Sequence, residues 1–193
     1  MKKRHCDTRQ HILDVARTLM THRGYTRVGL AEVVAAAQVP KGSFYHYFKS
    51  KDEFGQAVLD QYFSDYLKVV GTLLEGPLPA AERLMVYLRY WAQTQCSDSA
   101  TDKCLVVKLG AEVCDLSEGM RRVLDTGTQA VIGLLESCIE QGRADGSITS
   151  SLCDATLAQS LYQLWLGASL MMKISKRSQA FEDSLTMAKR LLS

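Results

Sequence analysis

The chain has 193 residues, 47% of them hydrophobic, and carries 23 Lys and Arg against 21 Asp and Glu. No apolar run approaches the roughly 18 residues of a membrane span, and the charged N-terminus is not followed by the apolar core of a secretion signal. These features exclude an integral membrane protein built on apolar helices and point to a soluble, cytoplasmic chain with room for one small and one medium helical domain.

In chain order the pattern is helical nearly throughout. Asp7 can cap a first helix whose Ile12, Val15, Ala16, Leu19 and Met20 form one apolar face, and Gly24 ends it. Leu30, Val33, Val34 and Ala37 follow helical spacing until Gln38-Val39-Pro40 breaks the run. Pro40 suits the start of a short third helix over Lys41 to Tyr47, in which Phe44 and Phe48, four apart, bury together. Ser50-Lys51-Asp52-Glu53 reads as a capping box that launches a fourth helix, marked by Phe54, Val58, Tyr62 and Tyr66 and reaching about Leu74. Gly76, Pro77 and Pro79 mark a loop. Leu84, Tyr87, Leu88 and Trp91 mark a fifth helix, and Met120, Val123, Val131, Leu134 and Cys138 a later one. Leu157, Leu161, Leu164, Trp165 and Ala168, then Phe181, Leu185, Ala188 and Leu192, give two C-terminal amphipathic helices. No strand-like alternation competes, so the fold class is all-α.

Charge is unevenly distributed. Residues 1 to 55 hold ten Lys or Arg against five Asp or Glu, whereas residues 56 to 193 hold thirteen against sixteen. A basic N-terminal segment carrying a short polar and aromatic helix fits a helix-turn-helix: the charge attracts a phosphate backbone, and the few outward side chains read base edges. Gly24-Tyr25-Thr26, Leu30-Ala31-Glu32-Val33 and Lys41-Gly42-Ser43-Phe44-Tyr45-His46-Tyr47-Phe48, with Lys51, resemble the DNA-binding domain of the TetR family of one-component repressors over roughly residues 8 to 55. The resemblance implies that Lys41, Gly42, Ser43, Tyr45, His46 and Tyr47 face DNA, that Lys51 holds a phosphate, and that Phe44 and Phe48 are core. The family's usual Thr at the start of helix two and Gly in the turn are replaced by Val28-Gly29 and Gln38, which leaves Thr26 and Arg27 as the nearest phosphate contacts from that side.

The expected organisation is a TetR-like helix-turn-helix domain over residues 1–50 and a helical sensing and dimerisation domain over residues 51–193. Exposed apolar faces on the last two helices would be covered by their copies in a second chain. The resulting homodimer would present two heads to the half-sites of a palindromic double-stranded operator.

Six cysteines in a reducing compartment do not form a disulfide framework, and no C-x-x-C pair suggests zinc. Cys138, on an apolar stripe, reads as a small buried hydrophobe. Cys104 follows Thr101-Asp102-Lys103, so Asp102 can cap a helix that places the thiol in its first turn, where the helix end favours thiolate. Lys103 is adjacent and Lys108 is one turn on. The local sequence leaves open both a reactive thiol and a buried one.

The segment from Cys104 to Arg121, with Leu164-Trp165-Leu166-Gly167-Ala168 and Lys173-Ile174-Ser175, resembles electrophile-responsive members of the same family. That resemblance implies a repressor of detoxification genes that leaves DNA when a cysteine is modified by quinones, reactive aldehydes or hypochlorous acid. Cys104 would be the sensor, Lys173 its partner, and Cys96 and Cys114 accessory thiols. Met171-Met172 and the loop over residues 97–103 depart from the pattern. Two other readings stand beside it. A reversible apolar inducer could occupy a pocket lined by Trp91, Trp165, Tyr162, Met171 and Met172. A thiol enzyme would lack a base, since no histidine follows His46, and neither an oxyanion nor a cofactor motif is visible.

Overall fold

The computed structural model describes the backbone of residues 2–97, 99 and 103–193, and side chains from Thr8 onward. Among these residues there are nine α-helices and no strand: α1 (Lys2–Arg23), α2 (Leu30–Ala36), α3 (Lys41–Tyr47), α4 (Lys51–Leu74), α5 (Ala80–Cys96), α6 (Leu105–Leu116), α7 (Glu118–Ala144), α8 (Asp154–Ser175) and α9 (Gln179–Leu192). Two compact units emerge, one of Met1–Ser64 and Ser99–Gly127, the other of Asp65–Asp98 and Thr128–Ser193. The division therefore differs from the expected boundary at residue 50: α6 and the start of α7 fold with the N-terminal helices.

In the first unit, α1 begins at Lys2, so Asp7 is inside the helix rather than at its cap, and its side chain lies outside the described residues. The helix ends where Gly24 takes φ +86 and donates its N–H to the Met20 carbonyl at 2.8 Å. At seven residues, α3 is too short to persist by itself. It is held because Phe44 and Phe48 pack on Phe54 of α4, with ring centroids 4.9 to 5.2 Å apart. Burying each ring contributes roughly 1.5–3 kcal/mol. Gln38 adopts φ +53 and so takes the left-handed turn position that glycine would fill. The capping box is shifted by one residue: Ser50 Oγ accepts from the Glu53 N–H at 3.0 Å, but Glu53 Oε2 reaches back to the N–H of Lys49.

In the second unit, α5 starts after Pro79, and its unpaired amides are satisfied by the α7–α8 connection. Ala80 N–H donates to Asp145 Oδ2 at 2.9 Å and Ala81 N–H to Ser147 Oγ at 3.1 Å. Cys138 is buried, as expected, with its thiol directed at the Ala80 carbonyl. Trp165 is wholly buried and donates its indole N–H to the Leu88 carbonyl at 3.0 Å. Most of the stripe expected to stand open on the last two helices is core instead: Leu157, Leu161, Trp165, Ala168, Phe181, Ala188 and Leu192 are buried within their own unit, while Leu164 and Leu185 are half-buried. A different set, Leu170, Met171, Ile174 and Met187, is exposed, with Ile174 at 67%.

Candidate nucleic-acid interface and thiol site

The recognition surface follows from the packing of α3. With Phe44 at 0% exposure and Phe48 buried, the opposite side presents Lys41, Gly42, Tyr45 and His46 to solvent, with Ser43 and Tyr47 half-buried beside them. The Lys41 ammonium lies 5.9 Å from the centroid of the Tyr45 ring, and the His46 and Tyr47 rings meet edge-on at 5.1 Å. A Cβ added at Gly42 would meet nothing within 4 Å, so the backbone there is open to close approach.

The α1–α2 turn is built differently from the expectation. Thr26 donates its N–H to Glu112 Oε1 at 2.7 Å, and the neighbouring Tyr25 N–H donates to Glu112 Oε2 at 3.1 Å. The Thr26 hydroxyl also turns to this carboxylate, so Thr26 faces α6 with both donors. Arg27 is exposed beside it. Lys51 donates to the Thr26 carbonyl at 3.3 Å and places its ammonium 4.7 Å from the Tyr25 ring centroid. Partial burial pushes the Glu112 carboxyl up, but the Thr26 hydroxyl, the Thr26 and Tyr25 amides and the Lys51 ammonium together hold it below its ordinary value.

Cys104 is the residue immediately before α6, not a member of its first turn, and it is 7% exposed. Asp102, the expected cap, lies outside the described residues. Burial pushes the Cys104 thiol up. The amides of Val107 and Val106 and the hydroxyl of Tyr62 pull the other way without overcoming it, and the amides close no regular capping bond. The expectation that the helix end would favour thiolate at rest is thus corrected: desolvation outweighs the helix end. Lys108 Nζ donates to the His22 carbonyl at the end of α1 at 3.2 Å, and Lys108 is not among the groups that shift the Cys104 thiol.

The remaining expected residues are distributed over both units. Cys114 is exposed on α6 in the first unit, while Cys96, exposed at the end of α5, and Lys173, exposed on α8, belong to the second. The residues suggested for an apolar pocket differ in exposure. Trp91, Tyr162 and Trp165 are core, with Trp91 and Tyr162 ring centroids 5.6 Å apart, whereas Met171 faces solvent. A cleft of about 390 Å³ between α5 and α9, bordered by Glu82, Met85, Val86, Arg89, Lys189 and Leu192, includes none of them.

Two residues escaped the sequence reading. Glu112 carries no local signal, because its partners are 86 and 87 positions away. Cys153 does carry one: it caps α8, and Thr156 sits three residues on. Its exposed thiol lies 3.0 Å from the Thr156 hydroxyl, and that hydroxyl and the Thr156 amide pull its pKa below the ordinary thiol value.

Residues 12–58 match the family described as bacterial regulatory proteins, tetR family, and residues 80–188 match the tetracyclin repressor-like C-terminal domain. The HTH-type transcriptional repressor NemR of Escherichia coli (strain K12) is 42% identical over 189 residues, covering 96% of this chain and 94% of that protein. The HTH-type transcriptional repressor DhaR of Mycobacterium sp. (strain GP1) is 33% identical over 93% of this chain and 89% of its own length. The crystal structure of the reduced form of E. coli NemR superposes with a TM-score of 0.92 at 41% identity, covering 97% of each chain.

Proposed function

The chain belongs to the TetR family of transcriptional regulators and is a NemR-like repressor; on that premise we propose that it leaves its operator when Cys104 is modified by an electrophile or oxidant, derepressing detoxification genes. The observation that carries this reading is the setting of Cys104: a buried sulfur at the start of α6, with the Val106 and Val107 amides and the Tyr62 hydroxyl directed at it. These donors stabilise negative charge once the proton is lost, while burial keeps the thiol protonated until then. Quinones, reactive aldehydes and hypochlorous acid are the proposed inducers.

The chemistry proceeds by loss of the thiol proton to water and attack of the sulfur lone pair. With an electrophilic alkene a sulfur–carbon bond forms and the carbon–carbon π pair takes a proton. With hypochlorous acid the sulfur is oxidised by two electrons to sulfenic acid and chloride is released. If Lys173 is the partner, its neutral amine attacks the sulfenic sulfur, the sulfur–oxygen bond breaks, and hydroxide leaves with the amine proton as water, giving a reversible sulfur–nitrogen link. Cys96 and Cys114 are the accessory thiols of this proposal.

Cys104 is 7% exposed, and because buried sites are close-packed, an adduct there is expected to displace the start of α6 from Tyr62 and α4. Modification acts only through its preference for one of two states. A penalty of about 3 kcal/mol against the operator-bound state lowers affinity roughly 150-fold. Lys41, Gly42, Ser43, Tyr45, His46 and Tyr47 are the proposed DNA-facing residues, and Arg27 and Lys51 the flanking phosphate contacts. An ammonium has three donors, so the bond from Lys51 to Thr26 does not consume it.

TetR regulators bind operator DNA and act as dimers. The homodimer is proposed to form through α8 and α9, supported by the exposed Leu170, Met171, Ile174 and Met187. The test is operator binding by reduced protein before and after N-ethylmaleimide or hypochlorous acid, beside Cys104→Ser. Release by wild type and retention by the variant is expected; equal release by both would move the trigger to another residue.

A further inference from the structure

We propose that Glu112 is a positioning residue for operator binding: its carboxylate holds the Gly24-Tyr25-Thr26 turn in the operator-competent form and carries displacement of α6 to the reading head. The proposal rests on the reading of the chain as an operator-binding repressor, and its second arm on the thiol switch.

Four observations meet at this carboxylate. Both oxygens accept backbone N–H groups from successive residues of one turn, 2.7 Å from Thr26 and 3.1 Å from Tyr25. That arrangement is a bidentate, charge-assisted grip rather than a surface ion pair. The turn is shaped for it: Gly24 has φ +86, and a Cβ there would lie 2.9 Å from Glu112 Oε2. On its far side the gripped segment bonds to α4, through Lys51 Nζ to the Thr26 carbonyl and the Tyr25 hydroxyl to the Lys51 carbonyl at 3.0 Å. Finally, the same helix that bears Glu112 begins immediately after Cys104, and all of these residues belong to the first compact unit.

The physical argument is one of leverage. α6 has twelve residues and moves as a rod, so displacement of its Cys104 end is felt at Glu112 two turns on. The turn cannot replace the lost acceptor with its own groups: the Tyr25 and Thr26 amides precede α2 and have no helical carbonyl to receive them. Releasing them frees the segment that sets the entry of α2 and the position of Lys51. Lys108, one turn before Glu112, makes a second tie from α6 to the His22 carbonyl, but through a single flexible donor.

The experiment measures operator affinity, and hydrogen exchange at the Tyr25 and Thr26 amides, for wild type, Glu112→Gln and Glu112→Ala, each reduced and after N-ethylmaleimide. In reduced protein Glu112→Ala is expected to bind operator about tenfold more weakly, with fast exchange confined to those amides; Glu112→Gln, which keeps one acceptor oxygen, should fall between. In wild type, modification should accelerate the same two amides, and the further loss on modifying Glu112→Ala should be smaller than in wild type. Unchanged operator affinity in reduced Glu112→Ala would overturn the proposal. So would a full-sized response of that variant with Tyr25 and Thr26 protection unaltered in modified wild type, an outcome that leaves the thiol switch intact. If wild type does not release at all, the thiol reading fails by itself and the affinity of reduced Glu112→Ala alone decides the latch. Helical circular dichroism matching wild type guards against misfolding.

Discussion

Tyr25 and Lys51 hold each other twice: the Tyr25 hydroxyl donates to the Lys51 carbonyl at 3.0 Å, while the Lys51 ammonium lies 4.7 Å from the centroid of the Tyr25 ring. One residue lies at the start of the α1–α2 turn and the other begins α4, so the pair fixes the first turn of the long helix against the reading head. Tyr25→Phe, which keeps the ring, should cost about 1 kcal/mol in chemical denaturation. Burial first, then Asp52 and Glu112, raise the Tyr25 phenol from 10.0 to about 12. The unfolded chain therefore loses this proton at lower pH than the folded one. The contribution of Tyr25 is fully present below pH 10 and falls away between about pH 10 and 12. Alkaline titration of wild type against Tyr25→Phe, followed by the 295 nm phenolate absorbance, checks the sign.

Gly24→Ala should destabilise the protein by about 1–2 kcal/mol, from the left-handed backbone alone. The added methyl would also press on Glu112 Oε2. Thermal unfolding measures the first effect, and operator affinity the displacement of the carboxylate. Gly133→Ala, on α7 and outside the reading head, is the control, because the position is exposed and a methyl there meets nothing within 4 Å.

Thiol reactivity should not follow functional importance. Cys153 is exposed and its thiol pulled down by Thr156, whereas Cys104 is buried and its thiol pushed up. At neutral pH, time-resolved alkylation read by mass spectrometry should therefore label Cys153 well before Cys104. Thr156→Val should slow the first without touching the second. Operator release should track the slower site, and its rate should climb as pH rises above neutrality. Release that tracked Cys153 would defeat the assignment of Cys104.

Arg143 ties the α7–α8 connection together, pairing with Asp154 and donating to the carbonyls of Ser150, at 2.7 Å, and Leu152. Arg143→Ala leaves those carbonyls without their donor and should cost about 1–3 kcal/mol in thermal or chemical unfolding. Reduced operator affinity at temperatures well below unfolding is not expected.

Ile174→Glu combined with Leu170→Glu places two charges on the exposed face of α8 without entering the buried stripe. Sedimentation should show a shift to monomer, and operator affinity should fall by orders of magnitude because each head then binds a half-site alone. A dimer that survived both substitutions would place the interface elsewhere.

Much of the fold is legible residue by residue. The spacing of Phe44 and Phe48, the break at Gln38-Val39-Pro40 and the end of the fourth helix at Leu74 are local signals, and each appears where the pattern puts it. Asp7 has the character of a helix cap, yet α1 already runs from Lys2, so the local signal does not mark its start. The C-terminal stripe is legible as apolar, but the choice between self-burial and an open face depends on what α5 offers, which no helical period encodes.

The sequence by itself determined the all-helical architecture, the helix-turn-helix with its outward side chains, and the basic N-terminal segment, because periodicity, capping and charge act over a few residues. Tertiary structure alone decided the setting of the Cys104 thiol, since burial raises its pKa and the Tyr62 hydroxyl that opposes the rise comes from another helix. It alone revealed the grip of Glu112 on a turn 86 residues away. Both depend on desolvation and on donors brought together by folding, and those are properties of the packed chain rather than of any stretch of it.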